Sequence, residues 1–359
     1  MPQFALGTTH GHGSTGSQNE PRAHPDEAGA RSAPDDTSMS PEPMSAPPCF
    51  HAVSRCVIET REYDLSATLN SGQAFRWQFR DGHWTGVIGR HWVRLRADAV
   101  SITAETAEPV RDWDWLTDFL QADIDLTTVL ATFPEDEPMR AAAAACRGLR
   151  LLRQDPWECL ASFILSSTKQ IVQIRQIVAA LCERFGDAIP AVAGYGPAFA
   201  FPAPERLACA TEAELRACKM GFRAPNLLAT ARRVAEKKLD LERLRQFAVD
   251  TARAELVQLP GVGRKIADCV LLFAYGFPTA FPVDVWVMKA LQQLYFPKRR
   301  VNAKRLRHFS ETHFGPHAGF AQQYLFHYMR THRSLRQRPR RSQRKRKPSR
   351  SLRPLRETS

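Results

Sequence analysis

Large apolar side chains fall into two regimes along the 359 residues. From about 52 to 106 they come in short runs, with Trp84, Val87, Trp92, Val93, Leu95 and Ile102 separated by Asp81-Gly82, Gly89-Arg90 and Ala97-Asp98. Short apolar runs between turn-forming pairs mark antiparallel strands. From about 110 the spacing lengthens to the helical period. The clearest start signal is Asp155-Pro156-Trp157-Glu158, where Asp155 can cap the first turn, Pro156 suits the first helical position and Glu158 can reach back to close a capping box. A helix from about 156 through Leu165 follows. Further helices are expected near 170–185, 211–218, 224–236, 241–247, 251–258, 264–275, 284–295 and 317–330. The pattern predicts an α+β fold, a small antiparallel β-sheet domain packed on a helical body, without a fixed-period repeat.

Composition sets the limits of that body. Residues 1–47 are rich in Gly, Ser, Pro and Ala and hold few large apolar side chains, so they are expected to form a disordered arm. The segment 331–359 contains Arg340, Arg341, Arg344, Lys345, Arg346 and Lys347, and is expected to be a disordered basic tail. Between them, 48–135 reads as the sheet domain with a first helical segment, and 136–330 as the helical domain. The net charge of +13 is unevenly placed: the arm carries −4 and the tail +11, leaving +6 on 48–330. That distribution suits nucleic acid, mostly through the tail. The eight cysteines lack close CxxC spacing, so neither structural zinc nor an iron-sulfur cluster is expected, and most read as buried thiols. No run of about eighteen apolar residues occurs and Met1 is not followed by an apolar signal core. The chain is therefore read as intracellular, without a membrane partner.

The stretch that carries chemistry is Leu259-Pro260-Gly261-Val262-Gly263-Arg264-Lys265-Ile266-Ala267-Asp268-Cys269-Val270, a helix, a glycine turn and a second helix. Two glycines one residue apart let the backbone turn sharply and approach another chain. Amides at the start of the second helix then point outward, a phosphate site indifferent to base sequence, so Gly261, Val262 and Gly263 are candidate DNA contacts. Alone, this pattern is as readily a connecting turn. Lys265 changes the weighting: it falls in the first turn of the second helix, where the helix dipole and a desolvated cleft both favour a neutral, nucleophilic amine. Nineteen residues on, Phe281-Pro282-Val283-Asp284-Val285-Trp286 places Asp284 to cap the next helix and to face a developing sugar cation.

The hairpin with its lysine and the Pro-Val-Asp after it resemble the helix-hairpin-helix DNA glycosylase superfamily, and within it the eukaryotic-type 8-oxoguanine DNA glycosylases. The resemblance runs from about Cys49 to Phe326 and includes Ser71-Gly72-Gln73-Ala74-Phe75-Arg76-Trp77, Leu151-Leu152-Arg153-Gln154-Asp155-Pro156 and Gly315-Pro316-His317-Ala318-Gly319-Phe320-Ala321-Gln322. It implies a DNA glycosylase and abasic-site lyase of base excision repair, acting as a monomer on duplex DNA that contains oxidised guanine, with no metal or other cofactor. Lys265 and Asp284 would then be catalytic. Gly72, Cys269, Gln322 and Phe326 would form the base pocket, Phe326 and Cys269 on opposite faces of the base, Gln322 at its Watson-Crick edge and the Gly72 carbonyl on the N7 hydrogen of oxidised guanine. By residue type alone, Phe326 and Cys269 would more often be core and Gln322 a solvated face. Phe222 and Arg223 stand where the family wedges the duplex.

Two departures accompany the resemblance. Where the eukaryotic enzymes have three asparagines, this chain has Thr168-Lys169-Gln170, so reading of the opposite cytosine is expected to differ, with Lys169 left to bind backbone. Trp286 replaces the family's phosphate-contacting histidine. Alternatives are a glycosylase of the same fold for another damaged base, such as an alkylated one, or a non-catalytic DNA-binding module. Lys265 weighs against the first and the Lys265–Asp284 pair against the second. The location expected is with the DNA, in the nucleus of a eukaryote or the cytoplasm of a bacterium.

Overall fold

A computed structural model describes residues 54–332 apart from 168, 298 and 300. The expected arm, and the expected tail beyond His332, lie outside the described residues. Five antiparallel strands, β1 (Ser54–Glu59), β2 (Gln78–Arg80), β3 (His83–Ile88), β4 (His91–Ala97) and β5 (Ser101–Thr106), form a sheet in the order β1-β5-β4-β3-β2. The turns that join β2 to β3 and β3 to β4 are the Asp-Gly and Gly-Arg pairs seen in the sequence; Asp81, Gly82 and Gly89 all have positive φ. Register sets Trp84 opposite Leu95, and Leu95 opposite Ala104. These side chains share one face and are buried with Trp77 and Ile102, while most of the strands' alternate positions are more exposed, Trp92 being an exception.

Two helices close that face: α1 (Leu65–Asn70), between β1 and β2, and α2 (Asp114–Leu120), after β5. Neither has the length to show a helical period, and Asp64 starts α1 by accepting from the Ala67 amide. The helical body then runs α3 (Leu126–Leu130), α4 (Glu137–Ala145), α5 (Pro156–Leu165), α6 (Ile171–Phe185), α7 (Pro204–Ala208), α8 (Glu212–Ala217), α9 (Ala224–Ala235), α10 (Val249–Val257), α11 (Arg264–Phe273), α12 (Val285–Ala290), α13 (Ala303–His313) and α14 (Ala318–Thr331). A short hairpin, β6 (Ala188–Ile189) with β7 (Ala198–Phe199), follows α6 and packs near Trp92. Helices α5 and α11 form the centre: every residue of α5 but Glu158 is buried, as is every residue of α11 from Ile266 to Phe273.

Three expectations need correction, and several helices, α13 among them, were not expected. Asp155 does cap α5, accepting from the Glu158 amide at 2.7 Å, but Glu158 does not close a capping box. Its carboxylate turns instead to Arg76 at 3.3 Å, where a guanidinium with little exposure offers a stronger partner than the cap amide. The segment expected as a helix at 241–247 is a 3-10 turn, Glu242–Gln246, because it buries only Leu244 and is started by the Asp240 carboxylate. The helix expected over 284–295 ends at Ala290 and continues as one π-helical turn, Leu291–Tyr295, where the Gln292 amide bonds the Phe296 carbonyl at 2.6 Å. Helix α13 went unforeseen because its basic and histidine-rich sequence shows little apolar stripe; Leu306 is its buried anchor.

Candidate active site

The hairpin between α10 and α11 is held from both ends. Leu256, Leu259 and Val262 are buried, while Gly261 and Gly263 are exposed. Gly261 has φ +76°, and a Cβ there would lie 2.6 Å from the amide nitrogen of Asn226 on α9. The same helix braces the turn with a hydrogen bond from Thr230 Oγ1 to the Pro260 carbonyl at 3.4 Å and one from Arg233 to the Gln258 carbonyl at 3.0 Å. Gly263 caps α11 without a side-chain acceptor, so the first-turn amides face outward with the dipole's positive end. That is the arrangement an extended phosphate backbone needs.

Lys265 stands one residue inside α11, half-buried. Its Nζ donates to Ser166 Oγ at 3.3 Å and lies 5.1 Å from the centre of the Phe163 ring. Ser166 is the C-cap of α5 and itself donates to the Phe163 carbonyl at 2.7 Å, so the amine rests on a fixed acceptor. Asp284 is the N-cap of α12: one carboxylate oxygen accepts from the Trp286 and Val287 amides at 2.9 and 2.8 Å. Burial pushes its carboxyl above the ordinary carboxylate range, while the Val287 amide, Lys265, the Trp286 amide and Arg330 all pull the other way. Cys269, one turn beyond Lys265, has its thiol raised by burial to about 12, with the charges of Lys265 and Asp284 both acting on it. The thiol is therefore neutral and packs as a small hydrophobe. Lys265, Cys269 and Asp284 thus share one electrostatic environment, though α11 and α12 supply them separately.

Of the expected base-pocket residues, Gly72 and Phe326 come together, with Arg330 beside them. Gly72 has φ +83°, and a Cβ there would lie 2.6 Å from Ile171 Cδ1, 3.3 Å from an Arg330 nitrogen and 3.5 Å from Phe326 Cε1. Only a glycine fits so close to these side chains with that backbone. Gln322 and Phe326 occupy one face of α14; Gln322 is 3% exposed, and its side-chain oxygen is buried without a hydrogen-bond partner. A buried acceptor in that condition is costly in a folded chain and could take a donor from a ligand. The Gly72 loop is pinned by its fully buried neighbour Gln73, which donates to the carbonyls of Thr68 and Arg150 and accepts from the Leu152 amide. Gln154 donates to the Gln73 carbonyl, and Gln323 donates to the Ser71 carbonyl at 3.2 Å.

The expected DNA contacts are placed less uniformly. Phe222 is 59% exposed, in a 3-10 turn before α9, but Arg223 is 2% exposed. Its guanidinium bonds the Ser167 and Met220 carbonyls and stacks on Phe222 at 4.1 Å. Lys169 lies between α5 and α6, its amide bonded to the Ser166 carbonyl, while Thr168 lies outside the described residues. Trp286 is half-buried, with Lys289 Nζ 5.6 Å from the centre of its ring; Val285 and Met288 beside it are exposed. Two side chains at the site carry no signal of their own in the sequence. Ser166 becomes legible only once α5 and α11 are seen to cross, and Arg330 only as the next member of the Gln322, Phe326 spacing.

Comparison with known proteins gives a consistent picture. Residues 55–160 match the model of the 8-oxoguanine DNA glycosylase N-terminal domain, and residues 161–315 match the HhH-GPD superfamily of base excision DNA repair proteins. The chain is 33% identical over 285 residues to the N-glycosylase/DNA lyase OGG1 of Arabidopsis thaliana, covering 74% of this chain and 77% of that one. It is 31% identical to the N-glycosylase/DNA lyase of Saccharomyces cerevisiae over 67% of this chain and 70% of that one. In structure it is similar to the 8-oxoguanine glycosylase/lyase of Clostridium acetobutylicum bound to double-stranded DNA containing cytosine opposite 8-oxoguanine. The TM-score is 0.71 at 29% identity, over 78% of this chain and 98% of that one.

Proposed function

This chain belongs to the 8-oxoguanine DNA glycosylases of the HhH-GPD base excision repair superfamily, and on that premise we propose that Lys265 and Asp284 excise 8-oxoguanine from duplex DNA and open the abasic strand. The observation that carries the assignment of roles is the placement of Lys265 at the amino end of α11, on a fixed acceptor and in the field of a half-buried, capped carboxylate. In this reading the Lys265 amine attacks C1′ as the bond to the base breaks, and the base leaves with the bonding electrons and takes up a proton. The C1′–nitrogen adduct opens to a Schiff base. Loss of a C2′ proton then expels the 3′ phosphate by β-elimination, and water releases the lysine. Asp284, held by two amides so that its charge points in a fixed direction, stabilises the positive charge that grows on the sugar.

Gly72, Phe326, Cys269 and Gln322 take the extruded base, supported by the unpartnered buried oxygen of Gln322 and the close approach of Gly72 to Phe326. The outward amides from Gly261 to Gly263 grip backbone, with Lys169 and Trp286 on the rim and Phe222 and Arg223 at the vacated stack. For Arg223 that role requires leaving the Ser167 carbonyl, so DNA binding includes a local rearrangement there. The sheet domain, the helical domain and the basic tail act as one monomeric enzyme at the DNA. A glycosylase of the same fold for alkylated bases is disfavoured by Lys265, which that chemistry does not use.

The test is borohydride trapping on a duplex carrying 8-oxoguanine opposite cytosine. Wild type should form a covalent protein–DNA adduct and Lys265→Gln none. No adduct and no abasic product with wild type would remove the assignment.

A further inference from the structure

The last turn of α14 continues the face that holds Gln322 and Phe326, and four residues on it places Arg330. This arginine is half-buried, its guanidinium carbon 5.2 Å from the centre of the Phe326 ring. One of its nitrogens lies 3.3 Å from the point where a Gly72 Cβ would be. Its charge also reaches Asp284 and His327, in the latter case adding to burial in holding the imidazole neutral. Arg330 therefore stands at the mouth of the proposed base pocket, beside Gly72 and Phe326, with its charge felt at Asp284.

Beyond Asp284 the first turn of α12 is apolar. Val285, Trp286 and Met288 form the first turn of α12, and Lys289 is turned over the Trp286 ring. An extruded nucleotide brings its own phosphates to this mouth, close to the half-buried carboxylate of Asp284, and like charges there would repel. A planar guanidinium recognises two phosphate oxygens at once and keeps its charge at any working pH. The cation–π contact with Phe326 restrains the guanidinium and lowers the entropy lost on binding.

Resting on the glycosylase reading above, we propose that Arg330 is the phosphate clamp of the extruded nucleotide, binding a backbone phosphate next to the lesion while Phe326 stacks on its base. The contact would position the sugar relative to Lys265 and would not read the base. Against this stands the plainer role of an arginine that favours the carboxyl end of α14 and covers Phe326.

A phosphate-neutralisation scan separates the two. In the Lys265→Gln background, which allows binding without turnover, dissociation constants are measured for duplexes in which single phosphates flanking 8-oxoguanine are replaced by methylphosphonates. With Arg330 intact, one position should weaken binding about tenfold, the scale of a lost charge-assisted contact. With Arg330→Gln binding should already be weakened by a similar factor, and the same methylphosphonate should cost nothing more. Arg330→Lys, which keeps a point charge and covers the case that the glutamine variant folds poorly, should retain part of the sensitivity. Equal sensitivity at every phosphate in all three proteins would overturn the proposal. So would an Arg330→Gln variant that keeps full phosphate sensitivity but no longer separates 8-oxoguanine from guanine. Borohydride trapping by the wild-type protein on the unmodified duplex reports separately on the glycosylase reading.

Discussion

At the residue scale the site depends on groups with two jobs. Asp284 caps α12 and also supplies the negative charge near Lys265, and burial makes the charged form costly. Asparagine caps a helix about as well as aspartate and brings no charge. Asp284→Asn should therefore melt at a higher temperature than wild type while its single-turnover excision rate falls by at least about a hundredfold, in the range for loss of a preorganised electrostatic group. The pH profile carries the same signature. In the proposed mechanism excision needs the ionised carboxylate, and its folded value is raised by burial, so the acid limb of the wild-type rate should be shifted upward. In stability the sign is opposite: the raised group binds its proton more tightly when folded, so its contribution is lost as pH rises through the folded value and is full at acid pH. Single-turnover rates between pH 4 and 8 check the first point, and an acid limb unchanged in Asp284→Asn would contradict it. Ser166→Ala removes the fixed acceptor for Lys265. It should slow adduct formation several-fold with little change in DNA affinity, read from trapping kinetics against a binding isotherm.

At the element scale the hairpin is the most tightly specified piece, and also the most legible. The sequence Leu-Pro-Gly-Val-Gly-Arg-Lys announces both a turn and a charged helix start, since Gly261 adopts a positive φ that other residues resist. Gly261→Ala should lower stability by about 1–2 kcal/mol, the cost of an L side chain in the left-handed region, with crowding against Asn226 added to it. It should also weaken DNA binding, measured by chemical denaturation alongside a binding isotherm. Other elements were harder to read. Helices α1 and α3 have only six and five residues, too few for a period to emerge. Helix α13 buries little, and the π-helical turn after α12 depends on a glutamine side chain that no periodicity reports. Glu158 shows the general reason: its local environment favoured the cap, and a partner 82 residues away in sequence drew it elsewhere. The same holds at the site, where motif residues could be found in the sequence but Ser166 and Arg330 owe their position to helices crossing.

At the scale of the whole molecule, charge is the organising quantity. Most of the +13 lies beyond the described residues, on the basic segment that follows α14. Deleting 333–359 should weaken DNA binding and flatten its dependence on salt, because fewer counterions are released, while the single-turnover rate at saturating enzyme stays unchanged. A large fall in that rate would tie the segment to chemistry instead. The sheet domain has a different relation to the site. Its loop after α1 carries Gly72, and Gln73 fastens that loop to the strand-like segment 150–152 at the start of the helical body.

Gln73 gives that loop a second meaning. Guanine and its oxidised form differ at N7 by one hydrogen, so a reader of that position works by refusing an acceptor as much as by welcoming a donor. Refusal requires an oxygen that does not yield: a loop free to retreat by half an ångström would accommodate either base. With its side chain bonded at both ends, Gln73 would act, in the proposed pocket, as the stop against which the measurement is made. Errors in telling damage from the vast excess of normal guanine would then originate in a residue that never meets DNA, and the accuracy of repair would be a mechanical property of the scaffold.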